Sequence, residues 1–292
     1  MTAQIIDGKA IAASLRLQIA EQVNDIKRNF NITPGLAVIL VGADPASEVY
    51  VGNKEKAAHE AGMNSFQFKL AADSSEADLI AKINELNMDK KVHGILVQLP
   101  LPKHIDARKV IHAIDPRKDV DGFNVINVGK LSIGEVDGAH KAIVPCTPLG
   151  CVHLLKTVIP NLTGLKVLVI GSSNIVGRPL AQLLMIEKCT VTISNSSTKD
   201  LKAECLQADV IISATGVAGL IKGDMVKKDA IVIDVGINRI IKDGKPKLVG
   251  DVDFDSVKNV ASAITPVPGG VGPMTIAYLL KNTLECCLKT ND

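Results

Sequence analysis

The run Lys166-Val-Leu-Val-Ile-Gly171-Ser172-Ser173-Asn-Ile-Val-Gly177-Arg178-Pro179 decides the fold. An apolar strand leads into a glycine turn and then a helix start, the sequence context of a dinucleotide-binding unit. Gly171 suits the tight turn after the strand, and Gly177 lets the helix approach the sheet. The backbone amides of Ser172 and Ser173, with the positive end of the helix dipole, are placed to face a pyrophosphate. The spacing departs from G-x-G-x-x-G, so on these residues alone a glycine turn without a ligand stays open.

Strands of the same kind recur beyond it, at 190–194, 210–214 and 231–235, with helices between them. That alternation predicts a parallel sheet covered by helices. Two of these strands end in small residues, Ser213-Ala-Thr215-Gly216 and Asp234-Val-Gly-Ile237-Asn238, which leave room for a ligand across the carboxyl ends of the sheet. Singly, each is ordinary turn chemistry. The strand at 190–194 runs out into Asn195-Ser196-Ser197-Thr198, with no Asp or Glu where an NAD enzyme often holds the ribose hydroxyls. NADP is therefore favoured over NAD. The hydroxyls of Ser196, Ser197 and Thr198, with Lys199 and Arg178 nearby in sequence, are candidates to meet a 2′-phosphate.

A second alternating series precedes the glycine turn: a helix over 8–28, a strand over 36–41, a helix over 46–62 and a strand over 65–70. It continues with a helix over 76–88, a strand over 94–99 and a short helix over 106–114. From 115 to 146, scattered Gly, Pro and Asp without a sustained period predict a loop-rich connection carrying site residues. The expected fold is α/β, two domains with parallel-rich sheets and a catalytic cleft between them. The first domain spans 1–144, joined by a last helix over 274–292, and the second, Rossmann-type and dinucleotide-binding, spans 145–273.

Composition narrows the function classes. Hydrophobic residues make up 47% of the chain, with no Trp, two Tyr and five Phe, so the core is built from Ile, Leu, Val and Ala. Lys and Arg total 33 against 31 acidic residues, and no basic run is interleaved with aromatics. That balance argues against a nucleic-acid partner. The N-terminus lacks the pattern of a signal peptide, and no stretch reaches the roughly 18 apolar residues of a membrane span, so a cytoplasmic protein without a membrane partner is expected. Six cysteines form no C-x-x-C pair and six histidines no H-x-x-x-H pair, which predicts reduced thiols and no metal site.

In the first domain Tyr50 and Lys54 are four residues apart on an expected helix and so share a face. A solvated lysine beside a half-buried tyrosine is the commoner outcome of that spacing. Gln98 ends an apolar strand, where a buried amide needs hydrogen-bond partners. Asp119 and Asp121 follow in the loop, where carboxylates are usually solvated.

With these residues in place, the chain resembles the bifunctional methylenetetrahydrofolate dehydrogenase/methenyltetrahydrofolate cyclohydrolase family over nearly its whole length. The resemblance rests on Tyr50-Val-x-x-Lys54, Gln98-Leu-Pro-Leu-Pro102 and Lys118-Asp-Val-Asp-Gly-Phe-Asn124. It continues through Pro145-Cys-Thr-Pro148, the turn at 171–179 and Pro268-Gly-Gly-Val-Gly-Pro-Met-Thr-Ile276. No generic fold demands that last run.

The resemblance implies NADP-dependent oxidation of 5,10-methylenetetrahydrofolate and hydrolysis of the 5,10-methenyl product to 10-formyltetrahydrofolate. These are steps of one-carbon metabolism, which supplies purine biosynthesis, and the family expectation is a cytoplasmic homodimer. By the same resemblance Tyr50 would stack on the folate, Lys54 would be the main catalytic group with Gln98 positioning its amine, and Asp121 would accept hydrogen bonds from the pterin. Gly270, Gly272 and Pro273 would line the substrate. Gly171, Ser172, Ser173, Gly177, Ser196, Thr215, Gly216 and Ile237 would contact the dinucleotide. The chain departs from the family at Ser172, where many members carry an Arg associated with the NADP phosphate. An oxidoreductase of another substrate class or a silent dinucleotide-binding scaffold could share the second domain. The Tyr50, Lys54, Gln98 and Asp121 set argues against the first, and intact Lys54 and Asp121 against the second.

Overall fold

The computed structural model describes residues 2–138, 140–242 and 244–289. The end of the expected last helix, 290–292, lies outside the described residues. Strand β1 (Gln4–Ile5) and helix α1 (Gly8–Phe30) open the chain.

Strands β2 (Gly35–Val41), β3 (Asn64–Leu70) and β4 (Gly94–Val97) form a parallel sheet in the order β3-β2-β4. Every residue of β2 is buried, which is why it reads as an unbroken apolar run rather than an alternating one. Helices α2 (Pro45–Glu60) and α3 (Glu76–Met88) make the crossovers, and α4 (Ala107–Ala113) follows β4. Asp44 caps α2 by accepting the Ser47 amide at 2.8 Å, with Pro45 in the first turn. Ser75 and Asp78 form a reciprocal capping box on α3. Leu79, Ile83 and Leu86 of α3 pack with Ala37, Ile39, Ile95 and Val97 in one core.

The segment expected to be loop-rich contains helix α5 (Val125–Ser132). Asn124 starts it by accepting the Ile126 amide at 3.0 Å. Val125, Ile126 and Val128 are exposed while Asn127 is buried, so the usual apolar period is absent and the helix was not legible from pattern.

Next come α6 (Cys146–Val158), β5 (Lys166–Ile170), α7 (Gly177–Ile186), β6 (Thr190–Ser194), α8 (Leu201–Gln207), β7 (Val210–Ser213) and β8 (Ile231–Asp234). A hairpin of β9 (Asn238–Lys242) and β10 (Lys245–Val249), the short α9 (Phe254–Val257), β11 (Ala263–Ile264) and α10 (Val271–Lys289) complete the chain. A six-stranded sheet has the order β1-β11-β8-β7-β5-β6, with every pairing parallel. Ile170 of β5 lies opposite Ser194 of β6 and Ser213 of β7, and Ser213 lies opposite Asp234 of β8. The four carboxyl ends therefore stand in one row. From β5 the sheet grows to β6 on one side and to β7 on the other, and that reversal is where ligands bind in open parallel sheets.

The chain forms two compact α/β units, residues 13–146 with 276–292, and residues 1–12 with 147–275. The first twelve residues, expected in the first domain, cluster with the second because β1 pairs with β11, Gln4 opposite Ala263. Strands of two residues carry no readable period, so neither was foreseen. Asn282 of α10 donates from Nδ2 to the carbonyls of Val120 at 2.8 Å and Val144 at 2.9 Å, tying the last helix to the unit of residues 13–146. Among the described residues no helix is long and apolar enough to cross a membrane, and no disulfide links the cysteines.

Candidate active site

Lys54 sits on α2 and donates from Nζ to Gln98 Oε1 at 2.8 Å. Gln98 lies just past β4, its backbone amide still bonded to Ile39 O at 2.9 Å, and its Nε2 donates to Leu99 O at 2.7 Å. The second bond fixes which way the amide faces, so an acceptor is held toward the lysine. A neutral partner orients the amine without fixing its charge. Burial lowers the Lys54 pKa, and the neighbouring Asp121 and Cys146 pull it partly back. Lys54 is thus not the solvated lysine of the commoner reading. Tyr50, one turn earlier on α2, keeps 38% of its surface exposed, while burial around it raises the phenol pKa.

Asp121 belongs to a loop that is locked rather than loose. Asp119, expected to be solvated, is buried: its Oδ2 accepts the Asn124 amide at 2.8 Å and Asn127 Nδ2 at 3.0 Å. Burial raises its pKa against the pull of those donors. Asn127 also donates to Pro116 O at 2.8 Å and accepts the Ile143 amide at 3.1 Å. Gly122 has φ +69°, and a β-carbon there would collide with the Ile143 carbonyl. Burial pushes the Asp121 carboxyl up to about 6, with Lys54 pulling it down and Asp119 pushing it further up. Cys146 is a second residue that the sequence reading left unassigned; its Sγ donates to Val120 O at 3.3 Å and burial raises its thiol pKa. One unit of the chain therefore brings together Lys54, Gln98, Asp121 and Cys146, an amine of lowered pKa beside a carboxylate in a partly dry setting.

In the other unit, Gly171 takes φ +112°, and a β-carbon there would strike the Ala214 carbonyl. A β-carbon on Gly177 would strike the Gly171 carbonyl, so α7 starts hard against the turn. No side chain of the N-cap residue Val176 caps α7, although Ser173 Oγ accepts the Val176 amide at 3.2 Å. Arg178, a candidate for a 2′-phosphate, donates from Nε to Ser172 O at 3.2 Å. After β6, the Thr198 hydroxyl accepts the Asn195 amide at 3.0 Å and Asn195 Oδ1 accepts the Ser197 amide at 2.9 Å, with Ser196 exposed at the tip. A β-carbon on Gly272 would meet Ile237 at ordinary van der Waals distance, and Gly270 and Pro273 lie within two residues of it in the chain.

Two buried carboxylates at the ends of β7 and β8 carry much of this geometry. Asp251 Oδ2 accepts Ser213 Oγ at 3.2 Å, the Thr215 amide at 2.6 Å, Thr215 Oγ1 at 2.9 Å and the Gly216 amide at 3.2 Å. Its Oδ1 accepts Asn238 Nδ2 at 2.9 Å. Asp234 accepts the amides of Gly236 at 2.9 Å, Asp251 at 3.0 Å and Val252 at 2.9 Å, and burial pushes its carboxyl up to about 6. The sequence reading passed over Asp251. Its partners lie 35 to 38 residues away along β7 and 13 away at Asn238, a separation that no local pattern reports.

Residues 6–121 match the family described as tetrahydrofolate dehydrogenase/cyclohydrolase, catalytic domain, and residues 145–291 match its NAD(P)-binding domain. A Cereibacter sphaeroides protein named bifunctional protein FolD is 58% identical over 291 residues, spanning 100% of this chain and 97% of its own. The crystal structure of the FolD methylenetetrahydrofolate dehydrogenase/cyclohydrolase of Campylobacter jejuni superposes with a TM-score of 0.94 at 48% identity, covering 99% of each chain. The Trypanosoma brucei FolD enzyme, complexed with NADP cofactor and inhibitor, gives 0.95 at 39% identity over 100% of this chain and 99% of its own.

Proposed function

The chain belongs to the tetrahydrofolate dehydrogenase/cyclohydrolase family and is a bifunctional enzyme of folate one-carbon chemistry, and we propose that Lys54 carries the proton transfers of its hydrolytic step. Methylenetetrahydrofolate is oxidised to the methenyl form, which water then opens to 10-formyltetrahydrofolate. The dinucleotide, when bound, supplies the hydride acceptor. Hydride loss needs alignment more than a strong base, because the folate nitrogens stabilise the cation formed. Tyr50 offers a ring face to the folate, and Asp121 accepts from the pterin donors, fixing its orientation.

In the second step water attacks the methenyl carbon and loses one proton; the carbon–N5 bond then breaks as N5 gains a proton and the hydroxyl gives up its own to form the formyl C=O, one proton being released overall. An amine with a lowered pKa can take the first proton and return the second. The Lys54 to Gln98 contact at 2.8 Å is the observation that supports this role most directly, since Gln98 holds the amine without claiming its charge. Following methenyl absorbance and formyl formation in one preparation tests both activities.

NADP is the proposed dinucleotide. The absence of an acidic residue at 195–199, directly after β6, supports it, as does the NADP named in the trypanosomal structure. The pyrophosphate is assigned to the turn of Gly171, Ser172, Ser173 and Gly177, with Ser196 toward the 2′-phosphate and Thr215, Gly216 and Ile237 beside the nucleoside. Gly270, Gly272 and Pro273 are assigned to the substrate. Catalytic efficiency with NAD equal to or above that with NADP would overturn the cofactor choice. Ser172→Arg is expected to widen the preference for NADP, because a guanidinium pairs with a phosphate through two parallel bonds. A cytoplasmic homodimer rests on the family resemblance alone, and light scattering of the purified chain tests the dimer.

A further inference from the structure

We propose that Asp251 is a positioning residue that sets which chemical group of the dinucleotide the β7 turn accepts. The inference rests on the reading that Thr215, Gly216 and Ile237 line the cofactor. The amides of Thr215 and Gly216 and the Thr215 hydroxyl all donate to one carboxylate oxygen of Asp251. The next amide, that of Val217, donates to Thr215 Oγ1 at 3.2 Å. Four successive donors of a turn at the carboxyl end of a strand are thereby committed inward, and a negative charge stands behind them.

Phosphate needs the opposite arrangement, amides directed outward and positive potential. The β7 turn therefore disfavours the pyrophosphate and retains acceptors, which suit donor groups such as the ribose hydroxyls or a carboxamide NH2. The same carboxylate reaches across to Asn238, beside Ile237, so one side chain sets both strand ends.

Two glycines make this arrangement possible. A β-carbon on Gly236 would collide with the Asp251 carboxyl, and one on Gly250 would collide with the Asp234 carboxyl. Asp234 in turn holds the Asp251 amide. Each carboxylate thus occupies the space left by a glycine on the other's strand end, and their positions are mutually fixed.

Asp251→Asn keeps size and shape but brings an NH2 group among donors, so at least one of them loses its acceptor. The expected result is a KM for NADP raised tenfold or more. Hydrolysis of methenyltetrahydrofolate without added dinucleotide should stay within twofold in the same preparation. A purely structural role would lower both. Ser213→Ala removes one donor to the carboxylate and is expected to raise the KM for NADP by a smaller factor in the same direction, which keeps the proposal testable if Asp251→Asn does not fold. Ile237→Asp, a charge on an exposed cofactor-facing position, tests the site itself. An unchanged KM in Asp251→Asn with a raised KM in Ile237→Asp overturns the role of Asp251 alone. Unchanged values in both overturn the reading of the site as well, and parallel loss of hydrolysis in a folded Asp251→Asn overturns the proposal.

Discussion

Lys54→Met keeps the apolar stem and removes the amine that Gln98 holds at 2.8 Å. Cyclohydrolase activity is expected to fall by at least about 100-fold, the scale of losing a proton-transfer group, and the dehydrogenase reaction by less. Equal losses would make Lys54 a substrate-positioning group instead. Asp121→Asn is expected to raise the folate KM by an amount equivalent to about 2–4 kcal/mol, since a charge-assisted acceptor is lost and a donor faces donors. In the parent enzyme the folate KM is expected to rise as pH falls through about 6, where Asp121 takes up its proton, and the variant should lack that limb. Spacing places Tyr50 and Lys54 on one helix face and Gln98 at the end of an apolar strand, but only the family resemblance singles them out as site candidates. The burial of Asp119 and the reach of Asp251 could not be read from the sequence, because both depend on partners that only the folded chain supplies.

Among elements, the long apolar crossovers and strands were legible nearly residue for residue. Helix α3 begins and ends at the expected positions because Ser75 and Asp78 write their capping box into the sequence. Strand β4 stops at Val97, two residues short of expectation, as Gln98 turns its amide to Lys54. The β9/β10 hairpin was missed although an Asp-Gly pair at 243–244, the usual hairpin signal, is present in the sequence. Its strands carry Arg and Lys with exposed Ile241 and Leu248, so they lack a clean inward face. At this scale the start of α7 is the part most sensitive to one atom. Gly177→Ala would press a β-carbon on the Gly171 carbonyl and push the helix from its turn. The expected outcome is a loss of about 1–3 kcal/mol in urea unfolding and a raised KM for NADP, with hydrolysis retained. An unaltered dinucleotide KM would separate α7 from phosphate binding.

For the molecule as a whole, stability carries a pH signature from His93, which is buried at the start of β4 and accepts the Gly35 amide through Nδ1 at 3.0 Å. Burial lowers its pKa, with Lys118 adding to the shift and Asp89 opposing it. The unfolded chain, with a histidine near about 6.5, then binds more protons than the folded one just below that value. This contribution is full above about 6.5 and is lost as pH falls toward the depressed folded value. Melting temperature is expected to decline more steeply from pH 7 to pH 5 in the parent than in His93→Gln, and equal slopes would assign the acid sensitivity elsewhere. Neither compact unit is a continuous piece of sequence, since the chain changes unit at 12/13, 146/147 and 275/276. These points fall inside α1, at the first residues of α6 and inside α10. Recombination with a relative at a single junction therefore hands on neither half intact. Three crossovers are required, each of them within a helix, so cofactor preference and folate handling are inherited together unless individual residues change.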